Sequence, residues 1–254
     1  ALKNRGAIIW ETRASNGKII HLIGTQTRFW NRVAETIKVH GDIEFYSFEK
    51  EHRAVITTAR KLKISHSNLS LRTDITESTI RAGLAALAAT APNEEAVLQI
   101  ILGKAFSPNV LPKNISDPSM TWLDAALGHA TQASAETRKS MKEKAEQYNF
   151  ESVIRIGVTN KAASSRIGNI ACAFRVLESV GVRITEEKEK AENLNLAHIP
   201  WQFPLKLSIK ELASFLLLPF GIDELPGTLG LHPRMVHPPE WYANPPYEPG
   251  QNFC

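Results

Sequence analysis

Apolar residues are concentrated in two short stretches near the start of the chain. β-Branched and aromatic residues recur over residues 7–13 and 18–23, and Asn16-Gly17 joins the two stretches. Asn-Gly between two stretches of strand-forming residues favours a two-residue hairpin turn, because both residues tolerate positive φ. The sequence therefore predicts an antiparallel β-hairpin.

The next segment has helical periodicity. Phe29, Val33 and Ile37 recur every four residues, with Trp30 beside them. This spacing places the apolar side chains on one face of a helix, which we expect to run to His40. The predicted order of elements is thus strand, strand, helix.

Two later helices carry a capping-box pattern at their start. In this pattern an oxygen acceptor at the N-cap is followed three residues later by Glu, and each satisfies a backbone N–H of the other. Asp74 with Glu77 and Ser208 with Glu211 both fit it. A further helix, with apolar residues on one face, is predicted from Ser164 or Ser165.

The remaining segments include predicted strands, a predicted helical stretch and a run of charged residues. Apolar stretches at 55–64, 96–102 and 152–158 predict strands. Residues 121–148 are rich in Ala, Lys, Glu and Gln and predict a helical stretch. The charge run at 186–192 is typical of a solvated helix face or a loop.

Strand and helix segments of this size alternate in the manner of an α/β plait. We expect an α+β fold of two to three plait (ferredoxin-like) units, with helices packed on mixed, mainly antiparallel sheets. The expected division is an N-terminal part at 1–105, a loop and helical insertion at 106–150, a second α/β unit at 151–218 and a tail at 219–254. Eight of the 14 prolines lie in that tail, so it is expected to be an extended tail or linker.

Composition places the chain among globular proteins. Hydrophobic residues make up 43% and charged residues 22%, and no apolar run is long enough to cross a bilayer. The chain opens with Ala1 and without signal-peptide features, so we expect a cytoplasmic part of a longer protein. Cys172, in an apolar stretch, is expected to be a small buried hydrophobe, and Cys254 a free thiol.

No pattern for catalysis, a cofactor or a metal is recognisable. The pairs Gly17-Lys18 and Gly103-Lys104 lack the hydroxyl and the upstream glycine of a phosphate-binding loop. No two histidines have the helical spacing of a zinc site. We therefore predict no cofactor, no metal and no small-molecule substrate. An enzyme whose carboxylates converge only in the fold stays open.

Charge distribution indicates a nucleic-acid-binding face as one interpretation. Residues 1–89 carry 14 Lys/Arg against 8 Asp/Glu, an excess of +6. Several cations on one face can bind phosphates, and a neighbouring aromatic ring can hold a base. A basic strand edge that blocks unwanted strand pairing is the other interpretation, which we favour. The candidate residues are Arg60, Lys61, Lys63, Arg72, Arg28, Arg32 and Trp30.

Several runs carry a resemblance to a known class of proteins. The most specific is WQFPLKLSIKELA at 201–213, followed by PFG at 219–221 and LPG at 225–227. Shorter runs are ETRA at 11–14, HLIG at 21–24, KLKI at 61–64, LRTD at 71–74, LQIILG at 98–103 and RIGV at 155–158. Together they resemble the region before the motor domain of actinobacterial conjugative-transfer ATPases. These belong to the FtsK/HerA-like and type IV secretion class of DNA translocases.

The resemblance implies an accessory region without catalysis of its own. In this class a RecA-like motor carries the phosphate-binding loop, while the accessory region contacts other secretion components or shapes the ring. The implied partners are conjugation components, DNA and further copies in the parent motor ring. The implied location is the cytoplasm, at the inner face of the membrane through the parent protein or its partners. No nucleotide-binding residue is carried over to this chain.

Overall fold

The computed structural model describes residues 6–41, 53–112, 117–118, 127, 132–160 and 164–218. Within these residues lie seven strands and six helices. The strands are β1 (Ile8–Ser15), β2 (Lys18–Thr25), β3 (Thr58–Ile64), β4 (Glu95–Phe106), β5 (Asn149–Val158), β6 (Ile184–Glu189) and β7 (Leu205–Ser208). The helices are α1 (Thr27–Gly41), α2 (Thr76–Ala88), α3 (Ala135–Ala145), α4 (Ser164–Arg175), α5 (Ala191–Asn195) and α6 (Ile209–Leu216).

The predicted hairpin is confirmed. β1 and β2 pair antiparallel from Ser15↔Lys18 to Ile8↔Thr25. Asn16 and Gly17 form the turn with φ of 50° and 75°. Positive φ at both central residues is the geometry that a tight hairpin requires, and Asn-Gly provides it with little strain.

The strands form one antiparallel sheet in the order β2-β1-β4-β5-β3-β6, with β7 also pairing β5. The segment β3-α2-β4-β5-α4-β6 has the βαββαβ order of a ferredoxin-like plait, with its four strands arranged β6-β3-β5-β4. The N-terminal hairpin extends the plait beyond β4. The prediction of an α+β, plait-like fold is therefore confirmed.

The number of units differs from the prediction of two to three. The described residues contain one sheet, because β5 pairs with β4 on one edge and with β3 and β7 on the other. Strands from 1–105 and from 151–218 thus lie side by side. Pairing between strands far apart in sequence is not encoded in local patterns, and this led to the overestimate. The Pro-rich stretch at 219–254 lies outside the described residues.

The first face of the sheet is covered by α2, α4 and α6 and is apolar. Alternate residues of β4 and β5, among them Leu98, Ile100 and Ile156, pack there against helical side chains such as Leu84 and Phe174. Each of these five side chains is at most 1% exposed. Burial of this many aliphatic and aromatic groups provides the main driving force for the fold.

The second face is covered by α5 and the residues after it. Leu194 packs on Val97, Ala59 and Ile56, while Phe203 contributes to a separate cluster around Ile101 and Val153. Between these apolar contacts the same face carries the buried polar and charged side chains of Glu11, Arg13, Gln99 and Arg155. Residues 191–203 therefore cover a surface on which apolar contacts and ion pairs alternate.

Of the two predicted capping boxes, one is confirmed and one is wrong. The Ser208 side chain accepts from the Glu211 N–H, and the Glu211 side chain accepts from the Ser208 N–H at the start of α6. At α2 the N-cap is Ile75, without a side-chain cap, because the Asp74 carboxylate is paired with Arg72 instead. The Asp74 carboxylate therefore binds Arg72 and does not cap α2.

The structure also differs from other local predictions. Within the predicted helical stretch 121–148, the described residues form helix only over α3, from Ala135 to Ala145. The charge run at 186–192 was expected in a helix face or loop, but its first part lies in strand β6 because β3 supplies opposite charges. Cys172 is exposed on α4, so the prediction of a buried thiol is wrong. Among the described residues, no helix has the length and apolar character needed to cross a membrane.

Candidate functional site

The predicted cations of β3 are divided between the two faces of the sheet. Side chains of a strand alternate, so Arg60 lies on the first face and Lys61 and Lys63 on the second. Arg60 Nη1 lies 3.9 Å from Glu186 Oε2. The Nζ atoms of Lys61 and Lys63 lie 3.4 Å and 2.8 Å from the carboxylate of Glu187. All three cations thus face the acidic edge strand β6.

These pairs change the charge that the surface presents. The hydrogen bond from Lys63 lowers the pKa of Glu187, and the same bond raises the pKa of Lys63. Arg72 forms an equivalent pair with Asp74, with Nη2 at 2.9 Å from Oδ2, which raises the pKa of Arg72 and lowers that of Asp74. Every cation of this predicted patch therefore has a carboxylate nearby, which reduces its attraction for phosphate.

The other three predicted residues lie on α1, close to the opposite edge of the sheet. Arg28 is exposed, and its Cζ lies 4.5 Å from the centre of the Phe29 ring. The expected pairing of a cation with an aromatic ring is thus made with Phe29. Arg32 is exposed and Trp30 is half-buried. Because β1, β4 and β5 separate β2 from β3, the structure does not bring these residues together with Arg60 and Lys61.

A buried network of charged side chains occupies the second face. Glu11, Arg13, Gln99 and Arg155 are each at most 2% exposed. Arg13 Nε donates to Glu11 Oε2 at 2.8 Å, and Gln99 Nε2 donates to Glu11 Oε1 at 2.7 Å. Arg155 Nη1 donates to Gln99 Oε1 at 2.9 Å, and Arg13 also pairs with Glu95. The network links β1, β4 and β5 across the sheet.

The same network binds the segment that covers it. Arg155 donates to the carbonyl oxygens of Asn193 and His198 at 3.2 Å and 2.7 Å. Gln99 donates to the carbonyl of Leu194 at 2.8 Å. The last carbonyls of a helix lack partners within the helix, and cations near them are favourable. Arg155 and Gln99 therefore cap the C-terminal end of α5 and fix residues 191–203 on the sheet.

A second buried ion pair joins α3 to the start of α6. Lys144 Nζ lies 2.9 Å from Glu211 Oε2 and donates to the Leu69 carbonyl at 3.1 Å. The Glu211 carboxylate also accepts from the N–H groups of Leu71 and Ser208, at 2.7 Å each. Burial lowers the pKa of Lys144, and the Glu211 charge opposes this shift. Three separate segments, α3, residues 69–71 and the start of α6, meet at this pair.

A histidine on the first face is held in its neutral form. His21 Nδ1 lies 3.1 Å from Thr12 Oγ1, which also accepts from Trp10 Nε1 at 3.1 Å. With the indole N–H donated to it, the Thr12 hydroxyl is placed to donate to His21. Burial lowers the pKa of His21 to about 4, because the charged imidazolium is poorly solvated there.

A cavity of about 590 Å³ opens where β4 and β5 meet the covering segment. Phe106, Phe203 and Ile199 form its apolar lining, and Lys104 and Glu151 contribute charge. Lys104 Nζ lies 5.2 Å from the centre of the Phe106 ring, and Lys206 Nζ lies 4.7 Å from it. No ion pair joins either ammonium to a carboxylate of the described residues. Glu151 lies directly opposite Lys206 across β5 and β7, so the two ammonium groups and this carboxylate leave an excess of one positive charge beside the ring.

Sequence reasoning did not identify the buried network, although a signal was present. Glu11, Arg13, Gln99 and Arg155 lie on one face of their strands, and the residues on either side of them in the sequence are mostly apolar. Charged side chains at a single parity of a strand indicate either a solvated face or a buried polar network. The two cannot be distinguished until the covering segment is known.

Comparison with family models, curated proteins and solved structures found no match to this chain. Among the described residues, no group of His, Cys, Asp and Glu side chains is arranged to hold a metal ion.

Proposed function

We propose that this chain is an accessory module of a conjugative DNA-translocating ATPase and acts in assembly and partner docking. The observation that carries the proposal is where the family-like runs lie in the fold. The runs at 11–14, 98–103 and 155–158 contribute the four buried network residues, and the run at 201–213 contains the capping box of α6. The resemblance therefore falls on residues that determine the architecture.

The geometry supports a rigid platform. Hydrogen bonds from the buried network to backbone carbonyls join β4 and β5 to the covering segment, and the ion pair of Lys144 with Glu211 joins α3 to α6. Satisfied buried networks rigidify a structure and specify one arrangement. A rigid sheet with fixed covering segments holds an interaction surface in constant geometry, as docking requires.

The proposal is tested first by the reading frame that follows the Cys254 codon. We expect it to encode a RecA-like motor with a Gly-Lys-Ser/Thr phosphate-binding loop. A second test removes residues 1–218 from that full-length protein. ATP hydrolysis is expected to persist while DNA transfer between cells is lost. A downstream frame without such a loop, or transfer that continues without residues 1–218, contradicts the proposal.

A second candidate function is nucleic-acid binding at the cavity beside Phe106. Lys104 and Lys206 are exposed and unpaired with carboxylates of the described residues, whereas Lys61 and Lys63 face Glu187. Unpaired ammonium groups next to aromatic rings fit a single-stranded nucleic acid, whose phosphates and bases need both. This observation favours the cavity over the basic strand as the binding face.

Two matched double variants distinguish these faces. Binding of a fluorescently labelled single-stranded oligonucleotide is measured by anisotropy over a range of salt. Lys104→Gln with Lys206→Gln is expected to weaken binding and to reduce the salt slope by about 1.4, because each of two phosphate contacts to a single strand contributes about 0.7. Lys61→Gln with Lys63→Gln is the control and is expected to leave binding nearly unchanged. Equal losses in both variants, or no binding by the unmodified chain, contradict this function.

A further inference from the structure

The outer edge of β2 is open in the described part of the chain. β2 pairs with β1 on one side, and no described strand pairs with the other. Its sequence is KIIHLIGT, in which Lys18 at the end is the one residue that carries a fixed charge. The opposite edge strand, β6, carries three glutamates and a lysine in six residues. Charged edges resist pairing, and long apolar edges promote it.

The turn determines which backbone groups of β2 point outward. In a two-residue hairpin the residues flanking the turn, Ser15 and Lys18, form a hydrogen-bonded pair. Such pairs alternate along an antiparallel ladder. The N–H and C=O groups directed away from β1 therefore belong to the odd-numbered residues Ile19, His21, Ile23 and Thr25.

We infer that β2 pairs antiparallel with β2 of a second copy of this chain, in a register centred on Leu22. Residues whose N–H and C=O groups face outward must lie opposite each other to form hydrogen bonds. The register is therefore restricted to those that place odd-numbered residues opposite odd-numbered residues of the partner. Centring on Leu22 places Ile19 opposite Thr25 of the partner subunit, and His21 opposite Ile23 of the partner subunit. All four outward-facing residues of each strand are then paired. The contact is isologous, with one two-fold axis.

Side-chain chemistry favours a second copy in this register. Ile20 is 52% exposed on the second face, and the register places it opposite Gly24 of the partner subunit. Gly24 has no side chain, so the space beside it can receive the exposed isoleucine. Lys18 falls opposite Gln26 of the partner subunit, so no like charges oppose each other. Leu22 of each copy meets its counterpart on the axis.

The first experiment measures self-association of the full chain by sedimentation velocity. We expect a dimer whose dissociation constant rises on the order of tenfold or more in Ile20→Lys, because a charge is placed in an apolar contact. Val180→Lys is the matched control, since Val180 is 71% exposed and lies outside the edge. It is expected to dimerise like the unmodified chain. A monomeric chain, or a dimer equally stable in Ile20→Lys, overturns the inference.

The second experiment tests the register and does not depend on the effect of a charge. Leu22→Cys is made in the full chain with Cys172→Ser and Cys254→Ser. Directly opposed residues of a non-hydrogen-bonded pair have Cα atoms about 4.5 Å apart, within disulfide reach. Mild oxidation is therefore expected to give a covalent dimer. His21→Cys in the same background is expected to crosslink much less. Equal or preferred crosslinking at position 21, or none at either position, overturns the register.

Discussion

The two faces of the sheet are stabilised by different interactions, although they share the same strands. On the first face, alternate residues of β4 and β5 are aliphatic and pack under α2, α4 and α6. On the second face, the intervening residues include Gln99 and Arg155, which hydrogen-bond to the segment around α5. Neighbouring residues of one strand, such as Arg155 and Ile156, thus serve opposite faces.

The two faces differ more in how precisely they fix one arrangement than in how strongly they stabilise the fold. Apolar packing is non-directional and tolerates volume-conserving changes. A buried ion pair gains little over an apolar contact, but removing one partner leaves the other buried and uncompensated. The second face therefore fixes where residues 191–203 lie, while the first face provides most of the burial. Substitutions on the two faces should differ accordingly.

The largest effect is expected from Arg155→Met. Loss of the guanidinium leaves the Glu189 carboxylate, 3.6 Å from Arg155 Nε, without its cation. It also leaves Gln99 Oε1 and the carbonyls of Asn193 and His198 without their donor. Removing one member of a buried charged network costs about 3–5 kcal/mol. We expect the free energy of unfolding in urea to fall by about this amount.

The neighbouring residue provides the control for the first face. Ile156→Val removes one methylene group from a side chain that is fully buried under the helices. Such a change typically costs about 0.5–1.5 kcal/mol. Similar losses for Arg155→Met and Ile156→Val would mean that the two faces do not differ as described.

Glycine substitutions give an intermediate effect. A Cβ at Gly157 would lie 2.6 Å from Ile56 Cγ2 and 2.8 Å from Leu194 Cδ1, so Gly157→Ala pushes the covering segment off the second face. Overpacking of this kind costs about 1–3 kcal/mol. Gly168→Ala on α4 meets nothing within 4 Å and should stabilise by about 0.5–1 kcal/mol. Thermal unfolding of both variants measures the two changes in stability. The prediction is contradicted if both variants are stabilised or both are destabilised.

A smaller effect is a pH dependence that arises on the first face. The pKa of His21 is about 4 in the folded chain, below its ordinary value of 6.5. Between these values the unfolded chain binds more protons, so the free energy of unfolding decreases as the pH falls from about 6.5 to about 4. For a partly exposed ring we expect a change on the order of 2 kcal/mol.

Urea unfolding at pH 7 and pH 4.5 measures this contribution. His21→Gln is expected to reduce the difference in stability between the two pH values. His198→Gln is the control, because its side chain is exposed and is expected to leave the difference unchanged. An unchanged difference in His21→Gln would show that protonation of this ring does not limit stability in acid.

The features that sequence predicted correctly depend on neighbouring residues. Asn16-Gly17 specifies its turn through its own φ angles, and Ser208 with Glu211 satisfy each other three residues apart. Helical periodicity likewise located α1 and α4. In each case the interaction that decides the structure is contained in the segment that was inspected.

The features that were missed depend on distant residues. The charge run of β6 becomes a strand because it pairs with β3, whose Lys61 and Lys63 face its glutamates. These lysines lie more than 120 positions earlier in the sequence. Arg155 is buried because the carbonyls of Asn193 and His198 receive its hydrogen bonds. Likewise, the plait is single because β5 pairs with three other strands. None of these partners could be located without the topology.

The most direct measurement is amide hydrogen exchange of the unmodified chain and of Arg155→Met under native conditions. The central claim is that the buried network holds residues 191–203 on the second face. We expect exchange at 191–203 to accelerate in Arg155→Met by more than the factor by which the lower free energy of unfolding accelerates α2 and α4. Unchanged exchange at 191–203, or an equal increase throughout the sheet and helices, would contradict the claim.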